Sequence, residues 1–507
     1  MSHDRTAAAI ETHLSTLLLT SDRVFKLLKP LDLGFVDHRT VEQRRIALAR
    51  EFERNHAYSP SVYLDVVDLT ENGEITDSMM IMRRLEAAES LQHLASADEL
   101  TPNHLRAVAR RVAAVHEASP AVTGRTARQE TARHRRLWDD NLAVLATHAG
   151  TLIDTDALER TRRLVDDWLS AHERLLTQRL LDGFVRLTHG DLLAADIYCT
   201  GADGLQVELL DCLAFDDELA SIDVLDDLAT LAMDVERLTD TDTATDLVRW
   251  YHEFSNERHP ASLLHYYLAY RASVRAKVTA LRFEQGDDDS APLVTRLADV
   301  MTGHIESAQT RLVLVGGAPG TGKTTLAAAI ADALDAVHLS SDDLRKDLAG
   351  MGRIEHAPSS LDDGLYSPDR KAATYHELAE RGASLLAVGE SVVLDASWST
   401  EDERDVARAV ARRLGAALVE IECRLPRAVA RERIVRRAAD PYNNSDATPE
   451  LADALAARRE PWPTAVPIST DKVVAELAPI ALEAIRQAGR SDVTMGVEPT
   501  EQFDIPA

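Results

Sequence analysis

The chain has 507 residues, of which 45% are hydrophobic and 28% are charged, proportions typical of globular proteins. This length exceeds what one hydrophobic core usually supports, so we expect two or three domains. The net charge of −28 disfavours nucleic acid and anionic membrane surfaces as general partners, because their phosphates would be repelled. Neither a signal peptide nor an apolar run of about 18 residues is visible, which predicts a cytoplasmic protein.

The N-terminal part mixes strands and helices. The runs VFKLLKP and SVYLDVVDL predict strands, VEQRRIALAREFERN between them predicts a helix, and IMRRL, residues 81–85, predicts another strand. Helical spacing then dominates residues 88–182, and strands return around FVRLTHGDLL and LQVELLDCLAF. Helices are predicted again from Asp223 to Phe283. This part is therefore predicted to be an α+β domain over residues 1–290.

The acidic stretch EQGDDDSAP, residues 284–292, is the best candidate for a linker, and a connecting helix follows to about Gln309. We assign residues 291–309 to this linker and helix. Beyond Arg311, short apolar strands alternate with Ala-rich helices. The five strand segments are RLVLV, AVHLS, SVVLD, AALVEIEC and a weak one near VPIST. The alternation predicts an α/β domain over residues 310–488, with a parallel five-stranded sheet flanked by helices. Residues 489–507 are predicted to be a disordered tail.

The segment RLVLVGGAPGTGKTTLAAAIADAL carries a Walker A motif between an apolar strand and an amphipathic helix. Glycines allow backbone turns that a Cβ would block, so successive amides can point at phosphate oxygens. We expect Lys323 to reach the β- and γ-phosphates of ATP and the Thr324 hydroxyl to ligate Mg²⁺. An accidental glycine-rich turn is the alternative. The predicted ATP-binding residues are Gly317, Ala318, Pro319, Gly320, Thr321, Gly322, Lys323, Thr324 and Thr325.

Carboxylates end the next two predicted strands. Asp342 follows AVHLSS and can accept a proton from a substrate hydroxyl, and Arg345, one helical turn further on, can hold the substrate or the moving phosphoryl group. Asp395 ends SVVLD and can ligate Mg²⁺ through water or position the substrate. The alternative for both aspartates is a helix cap, with a solvated Arg345.

An Arg-rich segment, RERIVRRAADPYNNSDAT, contrasts with the acidity of the chain. It suits a lid in which Arg433 or Arg437 neutralises charge on the transferring phosphate, ahead of Ser445-Asp446-Ala447. The alternative is a helix whose arginines pair with acidic neighbours, namely Glu420, Glu422 and Glu432.

These motifs, in this order, resemble the small P-loop kinases that include gluconate kinase, chloramphenicol phosphotransferase, zeta toxins and polynucleotide kinase. The resemblance implies transfer of phosphate from ATP to an alcohol group of a small molecule. Sensor or base-reading motifs of motor ATPases and GTPases are not found. Asp342-Asp343-x-Arg345 keeps a polynucleotide 5′-hydroxyl kinase as an alternative, which the acidity of the chain disfavours.

A second phosphotransferase pattern lies in the N-terminal part. LTHGDLLAADIYCT supplies Asp191 as a candidate catalytic base, and Asp211 in LLDCLAFDD stands where a metal-binding aspartate belongs. Lys26 on the first predicted strand and Glu51 on the following helix are candidates for binding the nucleotide phosphates. Ordinary surface charge is the alternative for Lys26 and Glu51.

This ordered set resembles the aminoglycoside phosphotransferase family, a branch of the kinase-like fold. The phrases LLKPLDLGFVDHRT, LLDCLAFDDELASIDVLDDLATLAMD and YYLAYRASVRAKV resemble a tandem family in which that domain precedes a P-loop kinase. The likeness to these bifunctional phosphotransferase/ATP-binding proteins covers nearly the whole chain. It implies a kinase-like domain followed by a P-loop kinase domain, with ATP and Mg²⁺ as cofactors.

The N-terminal site departs from the pattern of the family. Leu193 and Asp196 stand where histidine and asparagine are usual, Ala214 stands where the tandem family has glutamate, and no glycine-rich loop precedes Lys26. Asp196 is still a hard oxygen ligand for Mg²⁺, but it adds negative charge beside Asp191 and Asp211. Catalysis at this site is predicted to be weakened, and a non-catalytic nucleotide-sensing module that regulates the P-loop domain is the alternative.

Overall fold

The computed structural model describes residues 8–12, 14–32, 34, 37–255, 257–351, 367–437 and 448–491. The chain divides into two compact units. Unit 1 comprises residues 1–159, 176–259 and 264–304, and unit 2 comprises residues 160–175, 260–263 and 305–507. Unit 1 therefore continues past the acidic stretch 284–292, which lies between two helices. Most of the predicted tail, residues 492–507, lies outside the described residues.

Unit 1 begins with an antiparallel five-stranded sheet in the order β1-β2-β3-β5-β4 and one helix packed on it. A capping box at Thr40 and Gln43 starts the helix, and its Leu48 packs with Val62 and Met80 of the sheet region. The elements are β1 (Ala8–Glu11), β2 (Ser15–Leu19), β3 (Arg23–Leu28), α1 (Val41–Tyr58), β4 (Tyr63–Glu71) and β5 (Glu74–Arg83).

A helical region with two small antiparallel ribbons follows, in which β6 pairs with β9 and β7 pairs with β8. Its elements are α2 (Leu91–Ser96), α3 (Pro102–Ala118), α4 (Ala127–Ala146), α5 (Thr155–Leu181), β6 (Val185–Leu187), β7 (Ile197–Thr200), β8 (Gln206–Leu209), α6 (Asp217–Ala220), β9 (Ser221–Asp223), α7 (Val224–Leu238), α8 (Thr241–Ser255), α9 (Ala261–Glu284) and α10 (Ala291–Ser307). Parts of α5, α9 and α10 belong to unit 2. The strands before a helical region form the α+β architecture that was predicted for this part of the chain.

Unit 2 contains a fully parallel sheet in the order β11-β12-β10-β13-β14. Leu312 and Leu314 pack on one face of the sheet, whereas Val313 and Val315 pack on the other, so helices cover both faces. The predicted five-stranded parallel sheet is confirmed. The elements are β10 (Arg311–Gly316), α11 (Lys323–Leu334), β11 (Val337–Ser340), α12 (Ser341–Leu348), α13 (Pro368–Leu386), β12 (Val392–Asp395), α14 (Glu401–Leu414), β13 (Ala417–Arg424), α15 (Arg427–Arg437), α16 (Pro449–Ala457), β14 (Val466–Ser469) and α17 (Val474–Ser491).

The prediction for the first strands was incomplete. β1 and β2 were not predicted. β1 is exposed along its whole length and lacks an alternating apolar pattern, so no strand signal was visible there. The strand predicted at residues 81–85 instead runs from Glu74 to Arg83, because a hairpin turn at Asn72-Gly73, with φ of 52° and 86°, pairs its polar first half with β4. No described helix is both long and apolar enough to cross a membrane.

Candidate functional site

The glycine-rich turn in unit 2 joins the end of β10 to the start of α11. Three of its glycines have positive φ, at +149° for Gly317, +83° for Gly320 and +85° for Gly322. Two of these glycines are also required by close packing. A Cβ at Gly317 would lie 2.7 Å from the carbonyl oxygen of Cys423, and one at Gly320 would lie 2.6 Å from that of Ala430. The turn therefore depends on glycine for both conformation and space.

Hydrogen bonds tie this turn to its surroundings. The Thr321 hydroxyl donates to the carbonyl of Ala318 at 2.8 Å, and the Thr470 hydroxyl donates to the carbonyl of Thr321 at 2.5 Å. The hydroxyl-bearing Thr324 and Thr325 are exposed in the first turn of α11, and Lys323 is half-buried. The amides at the start of α11 and these side chains are placed where a phosphate group can be bound.

Asp342 and Arg345 form an ion pair beside the turn, with 2.8 Å between Arg345 Nη1 and Asp342 Oδ1. Burial disfavours the charged carboxylate, but Arg345, Lys323 and Arg437 outweigh burial and hold the pKa of Asp342 below its ordinary value. Ser340 caps α12 through a hydrogen bond from the Asp342 amide, so the Asp342 carboxylate does not cap the helix. The structure thus brings Asp342, Arg345, Lys323 and Arg437 into one electrostatic cluster.

Asp395 ends β12 directly beside Val315 of β10, at the carboxyl edge of the sheet. Its side chain is 2% exposed, and within the described part of the chain its Oδ1 accepts no hydrogen bond. Thr400 caps the following helix, so Asp395 is not a cap. Because a buried carboxylate oxygen without a donor is costly, this position fits a cation or its bound water.

Helix α15 packs against the glycine-rich turn, and its arginines bind different partners. Arg433 donates to the carbonyl of Thr470 at 2.9 Å, next to the position of Gly322. Arg431 instead pairs with Asp453 and Glu450 of α16, at 2.9 and 3.3 Å. The alternative pairing with Glu420 and Glu422 is wrong, because those carboxylates bind other groups, namely Arg408, Arg424, Arg459 and Trp462. Residues 445–447 lie outside the described residues.

Three residues near this site were not predicted from the sequence. The Ser397 carbonyl accepts hydrogen bonds from the Gly317 amide at 3.4 Å and from Arg459 Nη1 at 2.6 Å. The Ser397 hydroxyl contacts the Tyr375 hydroxyl at 2.8 Å. Ser397 lies in the quoted segment SVVLDASWS, but Tyr375 and Arg459 come from separate elements and no local pattern marks them.

In unit 1 the structure brings Lys26 and Glu51 together, with 2.5 Å between Lys26 Nζ and Glu51 Oε1. Asp211 Oδ1 lies 3.8 Å from the same ammonium. Burial favours the neutral amine, but the charges of Glu51 and Asp211 hold the pKa of Lys26 above its ordinary value. Lys26 and Glu51 are mostly buried rather than ordinary surface charges.

The loop that carries Asp191 is held by two buried residues that were not predicted from the sequence, Asp227 and Arg271. Asp227 accepts hydrogen bonds from the amides of His189 and Gly190 at 3.2 and 2.8 Å, and Arg271 donates to the Gly190 carbonyl at 3.2 Å. The signal was present in VLDDLATLAMD, where acidic residues interrupt an apolar helix. An acidic residue fully buried in a helix indicates a polar partner.

Asp196 lies near Asp211 and Asp191. Burial, followed by the charges of Asp211 and Asp191, raises the pKa of Asp196 well above its ordinary value. A bound cation would relieve this repulsion, which fits Asp196 and Asp211 as Mg²⁺ ligands. Asp211 has a left-handed backbone, with φ of 58°, and Leu193 and Ala214 are buried. Among the described residues, however, these three carboxylates do not form a compact ligand set.

Comparisons with known proteins agree with this architecture. Residues 312–462 match a family model described as an AAA domain. The protein Rv2004c of Mycobacterium tuberculosis H37Rv is 39% identical over 461 residues, which are 91% of each chain, and Mb2027c of Mycobacterium bovis matches equally. The family-model match lies within unit 2 and includes the glycine-rich turn.

Two solved structures are similar to separate parts of the chain. A gluconokinase from Sinorhizobium meliloti 1021 is 21% identical, with 36% of this chain and 96% of that chain covered and a TM-score of 0.28. The aminoglycoside phosphotransferase APH(3'')-Id from Streptomyces rimosus is 16% identical, with 53% and 93% covered and a TM-score of 0.34.

Proposed function

The chain belongs to the same family as the mycobacterial protein Rv2004c, and we propose that it is an ATP-dependent kinase that phosphorylates a hydroxyl group of a small molecule in unit 2. The observation that carries this proposal is the convergence of Asp342 with Arg345, Lys323 and Arg437 beside the glycine-rich turn. A carboxylate surrounded by cations at a phosphate-binding turn can orient a hydroxyl toward a phosphorus atom.

The residues take distinct roles in this proposal. Residues 317–325 bind the phosphates of ATP. Thr324 and Asp395 would hold Mg²⁺, which would supply positive charge for the phosphate oxygens. Because its pKa is low, Asp342 is ionised at neutral pH, accepts a hydrogen bond from the acceptor hydroxyl and takes its proton as transfer proceeds. The hydroxyl oxygen bonds to the γ-phosphorus while the bond to the bridging oxygen breaks, and ADP leaves.

Positive side chains on α15 complete the site. Arg433 is already hydrogen-bonded next to the turn, and the charge of Arg437 acts on Asp342. In the proposed reaction these guanidinium groups neutralise the charge that develops on the transferring phosphoryl group, and Arg345 positions the acceptor.

The test is ATP consumption by the full chain with a panel of sugars, amino sugars, nucleosides and aminoglycosides. It is run in an Asp191→Asn background, so that unit 1 does not contribute turnover. Lys323→Ala and Asp342→Asn should each lower turnover by at least about 100-fold. The neighbouring carboxylate provides the control, Asp343→Asn, which should retain activity. Turnover that survives Lys323→Ala in this background contradicts the proposal.

Unit 1 is proposed to be a second Mg-ATP site, because Lys26, Glu51 and Asp211 meet at 2.5 and 3.8 Å. Asp191 would be its catalytic base. Two measurements distinguish catalysis from nucleotide sensing. If unit 1 is catalytic, Asp191→Asn removes turnover that persists in Lys323→Ala. If unit 1 is a sensor, it shows no detectable turnover either with Asp191 or with Asp191→Asn. Lys26→Ala nevertheless abolishes a Mg-ATP-dependent thermal shift. Labelled phosphate transfer to an oligonucleotide tests the polynucleotide kinase alternative.

A further inference from the structure

A cluster of two histidines and a glutamate lies in unit 1, apart from the residues assigned to ATP. His252 is in the last turn of α8, and Glu257 and His259 follow this helix. Their ligand atoms all lie within 4.8 Å of one another. The side chains of Glu257 and His259 are 3% exposed, whereas that of His252 is 26% exposed, which leaves a route from solvent.

The distances within this cluster resemble those of a tetrahedral metal site. Nitrogen and oxygen ligands bound about 2.0–2.1 Å from Zn²⁺ lie about 3.3–3.4 Å from one another. His252 Nε2 is 3.2 Å from His259 Nδ1 and 3.5 Å from Glu257 Oε2. The third edge, from His259 Nδ1 to Glu257 Oε2, is 2.7 Å. If that one contact lengthened by about 0.6 Å, the three ligand atoms would have the spacing of one face of a tetrahedral zinc site.

The charges around the cluster favour a cation. Arg179 binds Asp223, with 2.6 Å between Nη2 and Oδ1, and also contacts Glu257 Oε1. Two buried carboxylates, those of Asp223 and Glu257, therefore share one guanidinium group. A buried charge without a counterion is costly. Arg179 contacts Oε1 of Glu257, so that Oε2 faces the histidines, and in metal sites such a contact behind a ligand orients it toward the ion.

We infer that His252, Glu257 and His259 bind a divalent transition-metal ion, with Zn²⁺ preferred and the fourth position open to water. Two imidazoles and one carboxylate suit zinc, whereas Mg²⁺ and Ca²⁺ prefer oxygen ligands. The ion would fasten the end of α8 to the segment after it and, through Arg179, to α5, so it would stabilise unit 1.

The test is titration of the full, metal-free chain with Zn²⁺ against a chromogenic chelator, together with thermal unfolding. We expect one tight equivalent per chain, a higher melting temperature with Zn²⁺, and no such shift with Mg²⁺ or Ca²⁺. His252→Gln should weaken this equivalent at least about tenfold and abolish the shift. The exposed His93 provides the control, His93→Gln, which should behave as the wild type.

Two results would overturn the inference. One is the absence of a tight zinc equivalent in the wild type. The other is equal zinc affinity in the wild type and His252→Gln, which would place the ion elsewhere, for example at the carboxylates around Asp196. Since His252 is partly exposed, its variant is expected to fold, and circular dichroism checks this. Glu257→Gln gives a second measurement, because it keeps the shape of the side chain but weakens a metal ligand.

Discussion

Substitution of Gly320 tests how closely α15 must approach the glycine-rich turn. The residue has φ of +83°, and a Cβ there would lie 2.6 Å from the Ala430 carbonyl oxygen and 2.9 Å from Ile434 Cγ1. The left-handed backbone alone costs alanine about 1–2 kcal/mol. Restoring ordinary contact at 3.4 Å requires α15 to retreat by about 0.8 Å, because its backbone carbonyl is the closest atom. That movement displaces Arg433, which lies on the same helix.

The assay compares Gly320→Ala with Gly124→Ala in thermal unfolding and in kcat/KM for ATP. Gly124 has φ of +80° and no atom within 4 Å of an added Cβ, so its variant measures the backbone cost alone. Displacements near 1 Å at a catalytic site can lower rates by up to about 100-fold. We therefore expect kcat/KM to fall between about 10-fold and 100-fold in Gly320→Ala and to stay near wild type in Gly124→Ala. Equal stability and equal kcat/KM in the two variants would refute the proposed role of this contact.

Three further predictions concern individual contacts. Burial opposes ionisation of Asp342, and Arg345 is the largest charge that lowers the pKa of this carboxyl group. Wild-type kcat/KM should therefore stay level as pH falls to about 5. In Arg345→Gln the pKa of Asp342 rises, so the acid limb of the pH profile should move to higher pH, and an unmoved limb would mean that another group titrates. Thr470→Val removes the hydroxyl that donates to the turn and should cost about 1 kcal/mol of stability and raise KM for ATP, whereas Thr470→Ser should restore both. Glu51→Gln breaks the ion pair with Lys26 and should abolish the Mg-ATP thermal shift in a Lys323→Ala background; a retained shift would place the unit 1 nucleotide elsewhere.

Much of the structure of unit 2 could be predicted from local sequence patterns. The strand, the glycine spacing and the helix of residues 311–334 are adjacent in the chain, so sequence alone predicted the turn. Because parallel strands end at one edge of a sheet, the same reasoning placed Asp342 and Asp395 beside it. In unit 1, the phosphotransferase pattern singled out Lys26 and Glu51, which form an ion pair in the structure; their role in binding the nucleotide stays a prediction.

The incorrect or incomplete predictions concerned strands with little periodic signal and ion pairs between separate elements. β1 and β2 carry little periodic signal, and the Asn72-Gly73 hairpin was overlooked, so the first sheet was predicted too short. The alternative considered for the α15 arginines paired them with acidic residues close in sequence, yet Arg431 pairs with α16. Pairing between distant charges depends on how helices pack, which sequence spacing does not report.

The sequence by itself determined the two kinds of fold, the glycine-rich turn and the carboxylates at the strand ends, because these depend on periodicity, glycine spacing and strand direction over short distances. Tertiary structure alone decided that Thr470 supports a turn 149 residues away and that Asp227 holds the loop of Asp191. It also decided that the ligand atoms of His252, Glu257 and His259 lie within 4.8 Å of one another. Such contacts form when separate elements pack together and buried polar groups must find partners, a requirement that no local pattern encodes.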